Sequence, residues 1–222
     1  MFKRIAVCAL VVLGSHAPAY AQSPHVEVSG FAGWTFSDGV SADTAVVAGD
    51  GNVYDRADPK DSASYGFSVG ALIGPHNEVG FMFGQQMSKL VLGGTTDREL
   101  GDLTLSTYHG YFGYNFGEAD AHVRPFVFGG LGATSSSDVN VTVLGQAHSL
   151  PGSTKFSTTW GGGVKFFPNP KFGVRAAVRW TPTYVKSDAA GWWCDPYWGC
   201  YLASSAQYAN QFEMSGGVSV RF

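Results

Sequence analysis

The chain has 222 residues, of which 45% are hydrophobic, only 14% are charged and 30 are glycine, with a formal net charge of −3. A soluble domain usually carries about 25% charged residues, and a nucleic-acid binder carries a basic patch or run; this chain has neither. No stretch reaches the ~20 consecutive apolar residues of a spanning helix, which excludes a helical membrane protein.

The first element is a processing segment. Lys3 and Arg4 precede an apolar run from Ile5 to Gly14, and Ala19-Tyr20-Ala21 is a small-x-small cleavage site. This predicts an export signal over residues 1–21 that also removes Cys8. The mature part then has 222 − 21 = 201 residues, enough for one domain, with 12 basic and 17 acidic residues and a net charge of −5.

Eight stretches with a period of two follow, the signature of strands with one apolar and one polar face. They run over about 25–36, 63–73, 78–91, 103–116, 123–133, 156–167, 172–186 and 210–222. In the second, Tyr65, Phe67, Val69, Ala71 and Ile73 alternate with Ser64, Gly66, Ser68 and Gly70. In the last, Phe212, Met214, Val218, Val220 and Phe222 alternate with Glu213, Ser215, Gly217, Ser219 and Arg221. Each is long enough for the ~9–11 residues of a tilted membrane strand. The fifth reads both ways: either Phe126 and Phe128 or Val127 and Leu131 face outward, which leaves the direction of Arg124 open.

Residues 74–77, 117–122 and 168–171 are short turns rich in Gly, Pro and Asn, whereas 37–62, 92–101, 134–154 and 187–205 are long polar loops. Val46 to Tyr54 and Val139 to Leu144 have strand character within two of those loops. Short turns on one side, long loops on the other and aromatic residues at both strand ends match an outer-membrane barrel. The same periodicity also fits a soluble β-sandwich or lipocalin-like barrel.

The export signal, the strand pattern, the loop asymmetry and the terminal aromatic Phe222 together resemble the small outer-membrane β-barrel superfamily of the OmpA transmembrane domain, OmpX-like and opacity proteins. The resemblance covers residues 22–222. It implies an all-β, eight-stranded antiparallel up-and-down barrel in the bacterial outer membrane, with periplasmic termini and long extracellular loops. It also implies that the barrel assembly machinery reads the strand ending at Phe222. Lipid and lipopolysaccharide are the expected surroundings, a monomer the expected state, and a host or surface ligand a candidate partner.

The inward rows carry Glu27, Glu78, Lys165, Arg175, Arg179, Glu213 and Arg221. A barrel of eight strands is just wide enough to be filled by side chains. These residues are therefore expected to form a paired plug, with Arg179 and Glu213 as neighbours at mid-height. An ion or solute path is the alternative reading. Cys194 and Cys200 predict a disulfide in an oxidising compartment. Around them Trp192, Trp193, Tyr197, Trp198 and Tyr201 are candidate ligand contacts, and mutual packing above the rim is the plainer reading.

No catalytic set is expected. His76 and His122 fall in periplasmic turns, His25 at the mature start and His148 in a loop, and His109 points inward beside Thr107 and Tyr111. A lipid A-modifying enzyme remains the third alternative. Asp38, Asp43, Asp50, Asn52, Asp55, Asp58 and Asp61 in the first loop are oxygen ligands without EF-hand spacing, so no metal and no cofactor is expected.

Overall fold

The structure is a computed structural model that describes residues 26–47, 52–143, 146–185, 194–195, 199–200 and 208–222; of residues 40–47, 141–143, 146–148, 194–195 and 199–200 it describes the backbone alone. Among the described residues fourteen strands follow one another: β1 (Val26–Asp38), β2 (Val40–Val47), β3 (Val53–Pro59), β4 (Ser62–Ile73), β5 (Asn77–Gly94), β6 (Arg98–Asn115), β7 (Val123–Ser136), β8 (Val139–Val143), β9 (Gln146–Leu150), β10 (Thr154–Phe166), β11 (Phe172–Tyr184), β12 (Cys194–Asp195), β13 (Gly199–Cys200) and β14 (Tyr208–Arg221). Eight of them, β1, β4, β5, β6, β7, β10, β11 and β14, pair antiparallel with their neighbours, and β1 pairs with β14 to close the ring. Closure removes every sheet edge within the membrane, where an unpaired backbone group costs several kcal/mol.

The register fixes the tilt. One circuit along paired residues runs Ile73, Asn77, Tyr114, Val127, Gly162, Val178, Met214, Trp34 and returns to β4 at Ala63, a displacement of 73 − 63 = 10 residues. Strands sheared in this way must lean against the barrel axis.

The burial is inverted relative to a soluble protein. Trp34, Phe67, Phe81, Phe112, Leu131, Trp160, Val178 and Met214 are exposed on the outside, while Glu27, Glu78, Lys165, Arg124 and His109 are buried inside. A soluble sandwich or lipocalin-like barrel would turn these faces round; an apolar exterior is stable only in lipid. Two aromatic girdles border the band. Trp34, Tyr65, Trp160, Trp180 and Tyr184 lie toward one end, and Tyr114, Phe116, Phe166, Phe172 and Phe222 toward the other, all exposed. Trp180 stacks on Phe212 with ring centroids 6.2 Å apart.

The fifth membrane strand, β7, is settled by its glycine neighbours. Phe126 and Phe128 are buried inside, Arg124 points inward with them, and Val127 and Leu131 face out. A Cβ on Gly161 would come within 2.6 Å of the Phe128 ring, and one on Gly66 within 2.7 Å of the Phe31 ring. Interior rings therefore rest where facing residues have no side chain.

The short-turn end is tight. Gly74 and Gly117 take positive φ of 67° and 80°, a conformation that favours glycine. At the other end, three of the expected long loops, 37–62, 92–101 and 134–154, prove to be largely strand among the described residues. β2 and β3 form a hairpin in which Val46 pairs with Tyr54, and β3 continues onto β5. β8 and β9 form a second hairpin. The loop expected at 92–101 shrinks to residues 95–97, because β5 and β6 stay paired as far as Leu92 and Arg98. The reason is a second apolar cluster above the membrane, in which Leu90, Leu103, Val139 and Leu150 bury one another with Ala57, Leu100 and Leu105 packed against them.

Candidate functional site: the filled lumen and its outer rim

The lumen is filled in storeys. At the periplasmic floor, Phe167 is buried and the Arg221 guanidinium lies 3.5 Å from its ring centroid. Above it, Arg221 Nε donates to Glu27 Oε2 (3.0 Å), and Lys165 Nζ stands 2.8 Å from Glu27 Oε1 and 2.7 Å from Glu78 Oε2. Tyr111 Oη donates to Glu78 Oε1 (2.6 Å) and Asn115 Nδ2 to Glu78 Oε2 (3.2 Å). Charge-assisted bonds of this kind are required here, because a carboxylate buried without partners is very costly.

The next storey is apolar: Phe31, Met82, Tyr111, Phe126 and Phe128 form a cluster inside the barrel. Arg175 threads its edge, donating to Ser68 Oγ at 3.3 Å with the Phe126 ring 5.0 Å from its guanidinium carbon. Arg179 lies above, over the space left by Gly84. Its Nη2 donates to Glu213 Oε2 at 2.6 Å, and Ser64 Oγ donates to the same oxygen at 3.0 Å. The two residues are direct partners across β11 and β14, at the mid-height their strand positions predict. Removal of one partner of such a buried pair costs about 3–5 kcal/mol.

Higher still the lining is polar and closed. His109 is fully buried, with Nε2 2.9 Å from Ser157 Oγ, and Thr134 and Thr183 extend that chain of hydroxyls. The His109 Nδ1 has no partner, so no carboxylate orients the ring. A roof is formed by Gln86, which bonds Ser37, Ser62, the Lys60 carbonyl and, at 2.7 Å, Gln211.

All seven residues of the expected plug line the lumen, as one network, one pair and one solitary residue. Glu27, Glu78, Lys165 and Arg221 form one network, Arg179 and Glu213 a separate pair, and Arg175 has no carboxylate. Phe167, Tyr111, Asn115, Gln86 and Gln211 complete the filling; of these only Tyr111 is expected from the sequence, as an inward neighbour of His109. Tyr111 and Gln86 occupy inward positions of the period-two pattern, so that signal was present. His76 and His122 have a structural role, each bringing Nδ1 to a backbone carbonyl, of Asn115 (3.1 Å) and Phe167 (2.8 Å).

Outside the membrane, Glu99 accepts from Lys60 and from Lys89, both at 2.7 Å. These two ammonium groups hold its carboxyl well below the ordinary range, at about 2. The pair ties the β3–β4 junction to β5 and β6. Of the first-loop acids, Asp58 pairs with Arg56 at 3.0 Å and Asp61 accepts from the Ser37 amide; among the described residues no group of three ligating side chains could hold a metal. The backbones of Cys194 and Cys200 are directly paired across β12 and β13. Trp192, Trp193, Tyr197, Trp198 and Tyr201 lie outside the described residues, as does His25; the side chains of His148, Cys194 and Cys200 are not described.

A closed barrel with an apolar exterior, aromatic girdles and a charged, hydrogen-bonded lumen defines an integral outer-membrane β-barrel. The family of the outer membrane protein beta-barrel domain matches residues 5–222, and the chain belongs to that family. No curated protein sequence matches it. Among solved structures it is similar to the outer membrane protein OprG from Pseudomonas aeruginosa, at 13% identity and a TM-score of 0.63, covering 90% of this chain and 96% of that one. It is also similar to Neisserial surface protein A, at 16% identity and 0.52, covering 89% and 97%. The outer membrane protein AlkL, solved in lipid bilayers, matches at 14% identity and 0.53, covering 95% and 97%. At these identities the likeness concerns the fold.

Proposed function

We propose that this is a non-enzymatic barrel that serves as a structural and surface-interaction protein through its extracellular segments. The observation that carries the reading is the filled lumen: Phe167 with Arg221, the apolar storey and the Gln86 roof interrupt any straight path. The extension of β2, β3, β5, β6, β8 and β9 above the membrane adds a shaped outer surface, with its own apolar core, on which a partner can dock. The buried His109–Ser157 pair, without a third member and without access, argues against hydrolytic chemistry.

In this reading residues 1–21 direct export and are removed. The barrel assembly machinery recognises the strand ending at Phe222, and the mature chain is a monomer amid lipopolysaccharide. Cys194 and Cys200 form a disulfide, which closes the short loop that presents Trp192, Trp193, Tyr197, Trp198 and Tyr201 to a host or surface ligand. The test is reconstitution of the refolded chain in planar bilayers, with and without residues 187–205, beside binding to host-cell surfaces. The expected result is no discrete conductance, with binding lost in the Trp193→Ala/Trp198→Ala variant while the heat-modifiable barrel persists. Porin-like current steps would make the protein a channel instead. A change in lipid A mass on incubation would make it an enzyme.

A further inference from the structure

The buried charge of the lower lumen does not balance. Lys165, Arg124, Arg175 and Arg221 face Glu27 and Glu78 there, four cations against two carboxylates, 4 − 2 = +2. One storey up, Arg179 and Glu213 neutralise each other. Arg124, itself buried, donates to the Pro75 carbonyl in the short turn and carries one of the two surplus charges. The other falls on Arg175. Its residue is 8% exposed, its hydrogen bond goes to the neutral Ser68 hydroxyl, and its Nε meets no acceptor. The faces of Phe126 and Phe31, 5.0 and 5.8 Å away, soften the burial of the guanidinium but bring no countercharge.

A cavity of ≈ 10 Å³ adjoins this side chain, walled by Arg175, Lys165, Asn115, Tyr111, Phe126 and Glu78 among others. Glu78 is already covered by Lys165, Tyr111 and Asn115. Lys165 donates to Glu78 Oε2 and stands 2.8 Å from Glu27 Oε1 without a hydrogen bond to it, which leaves it at least one ammonium proton to give. Such a volume admits roughly one water-sized particle, so it excludes phosphate, carboxylates and sugars. A water would satisfy Arg175 Nε, and could donate to the unpartnered Asn115 Oδ1, but it would leave the charge uncompensated in a lumen ringed by lipid.

We propose that the lower lumen binds one halide ion, between the Arg175 guanidinium and the Lys165 ammonium. The ion supplies the countercharge that Arg175 lacks and acts as an inorganic part of the plug. The experiment uses the refolded full barrel. Crystals equilibrated in bromide are expected to show an anomalous peak in contact with Arg175. Urea-unfolding midpoints are expected to rise saturably with sodium bromide or chloride and not with sodium gluconate at equal ionic strength. Arg175→Met, which removes the guanidinium that holds the ion, is expected to abolish the halide dependence. A water without anomalous signal at the site, equal midpoints in bromide and gluconate, or an undiminished halide response in Arg175→Met would each overturn the proposal. If Arg175→Met fails to refold, the wild-type bromide density and the bromide–gluconate comparison decide the matter alone.

Discussion

Two ion triads in this barrel are near mirror images. In the lower lumen, Lys165 stands between Glu27 and Glu78 at 2.8 and 2.7 Å; above the membrane, Glu99 stands between Lys60 and Lys89, both at 2.7 Å. Their distances agree to within 0.1 Å and their settings are opposite. Side chains of the lumen triad are at most 7% exposed, whereas Lys60, Lys89 and Glu99 are all largely open to water. Distance is therefore a poor measure of what an ion pair contributes. Inside, attraction is strong but three desolvated charges must be held, so the triad matters chiefly because its loss would strand charge. Outside, water and salt screen the pair and either partner can be resolvated when the other leaves.

The largest expected effect is that of Lys165→Met, which leaves two buried carboxylates without their shared cation. A loss of about 3–5 kcal/mol in urea unfolding is expected, with restoration in the triple variant that also carries Glu27→Gln and Glu78→Gln. An unaffected single variant would erase the distinction between the two triads. Next is Leu103→Ala, a cavity in the upper apolar cluster costing about 2–5 kcal/mol locally. Its effect should appear as faster proteolysis and hydrogen exchange in β3, β8 and β9, with the membrane strands unchanged. Glu99→Gln comes third, with no measurable change of the unfolding midpoint in 0.15 M salt. The smallest effect concerns pH. Because the folded Glu99 carboxyl is lowered from 4.5 to about 2, its contribution is complete above 4.5 and disappears as pH falls through about 2. Proton-monitored NMR of the Glu99 side chain checks that window; titration near its ordinary value would mean that the lysines do not hold it in solution.

The membrane part of the fold was legible because lipid enforces strict alternation. Each outward position must be apolar, so Phe67, Val69, Phe81 and Phe83 announce their side even in isolation. The exception was β7, where Gly129, Gly130 and Gly132 carry no hydropathy and both faces offer large apolar residues. Its direction depends on the gap at Gly161 on the neighbouring strand, which no single segment displays. Above the membrane the solvent no longer imposes alternation, and acidic, glycine-rich stretches read as loops. The packing of β3, β8 and β9 onto β5 and β6 rests on Ala57, Leu90, Leu103, Val139 and Leu150, dispersed residues that meet only in three dimensions. Within the lumen, sequence parity shows which charges point inward, but the grouping into a network, a pair and the solitary Arg175 depends on how ten residues of shear place the strands side by side.

The seam between β1 and β14 has a topological consequence. Val26 and Phe222 exchange both backbone hydrogen bonds, and Glu27 pairs with Arg221 beside them, although 194 positions separate the two residues along the chain. The polypeptide is thus a ring cut at one arbitrary joint rather than a line with two free ends. A short linker between the strand ends and a new opening at the tip of an extracellular hairpin would yield a circular permutant with the same eight-fold adjacency. In the native order, this joint unites the first strand with the last, so the cylinder can be sealed only after its most distant parts have found each other.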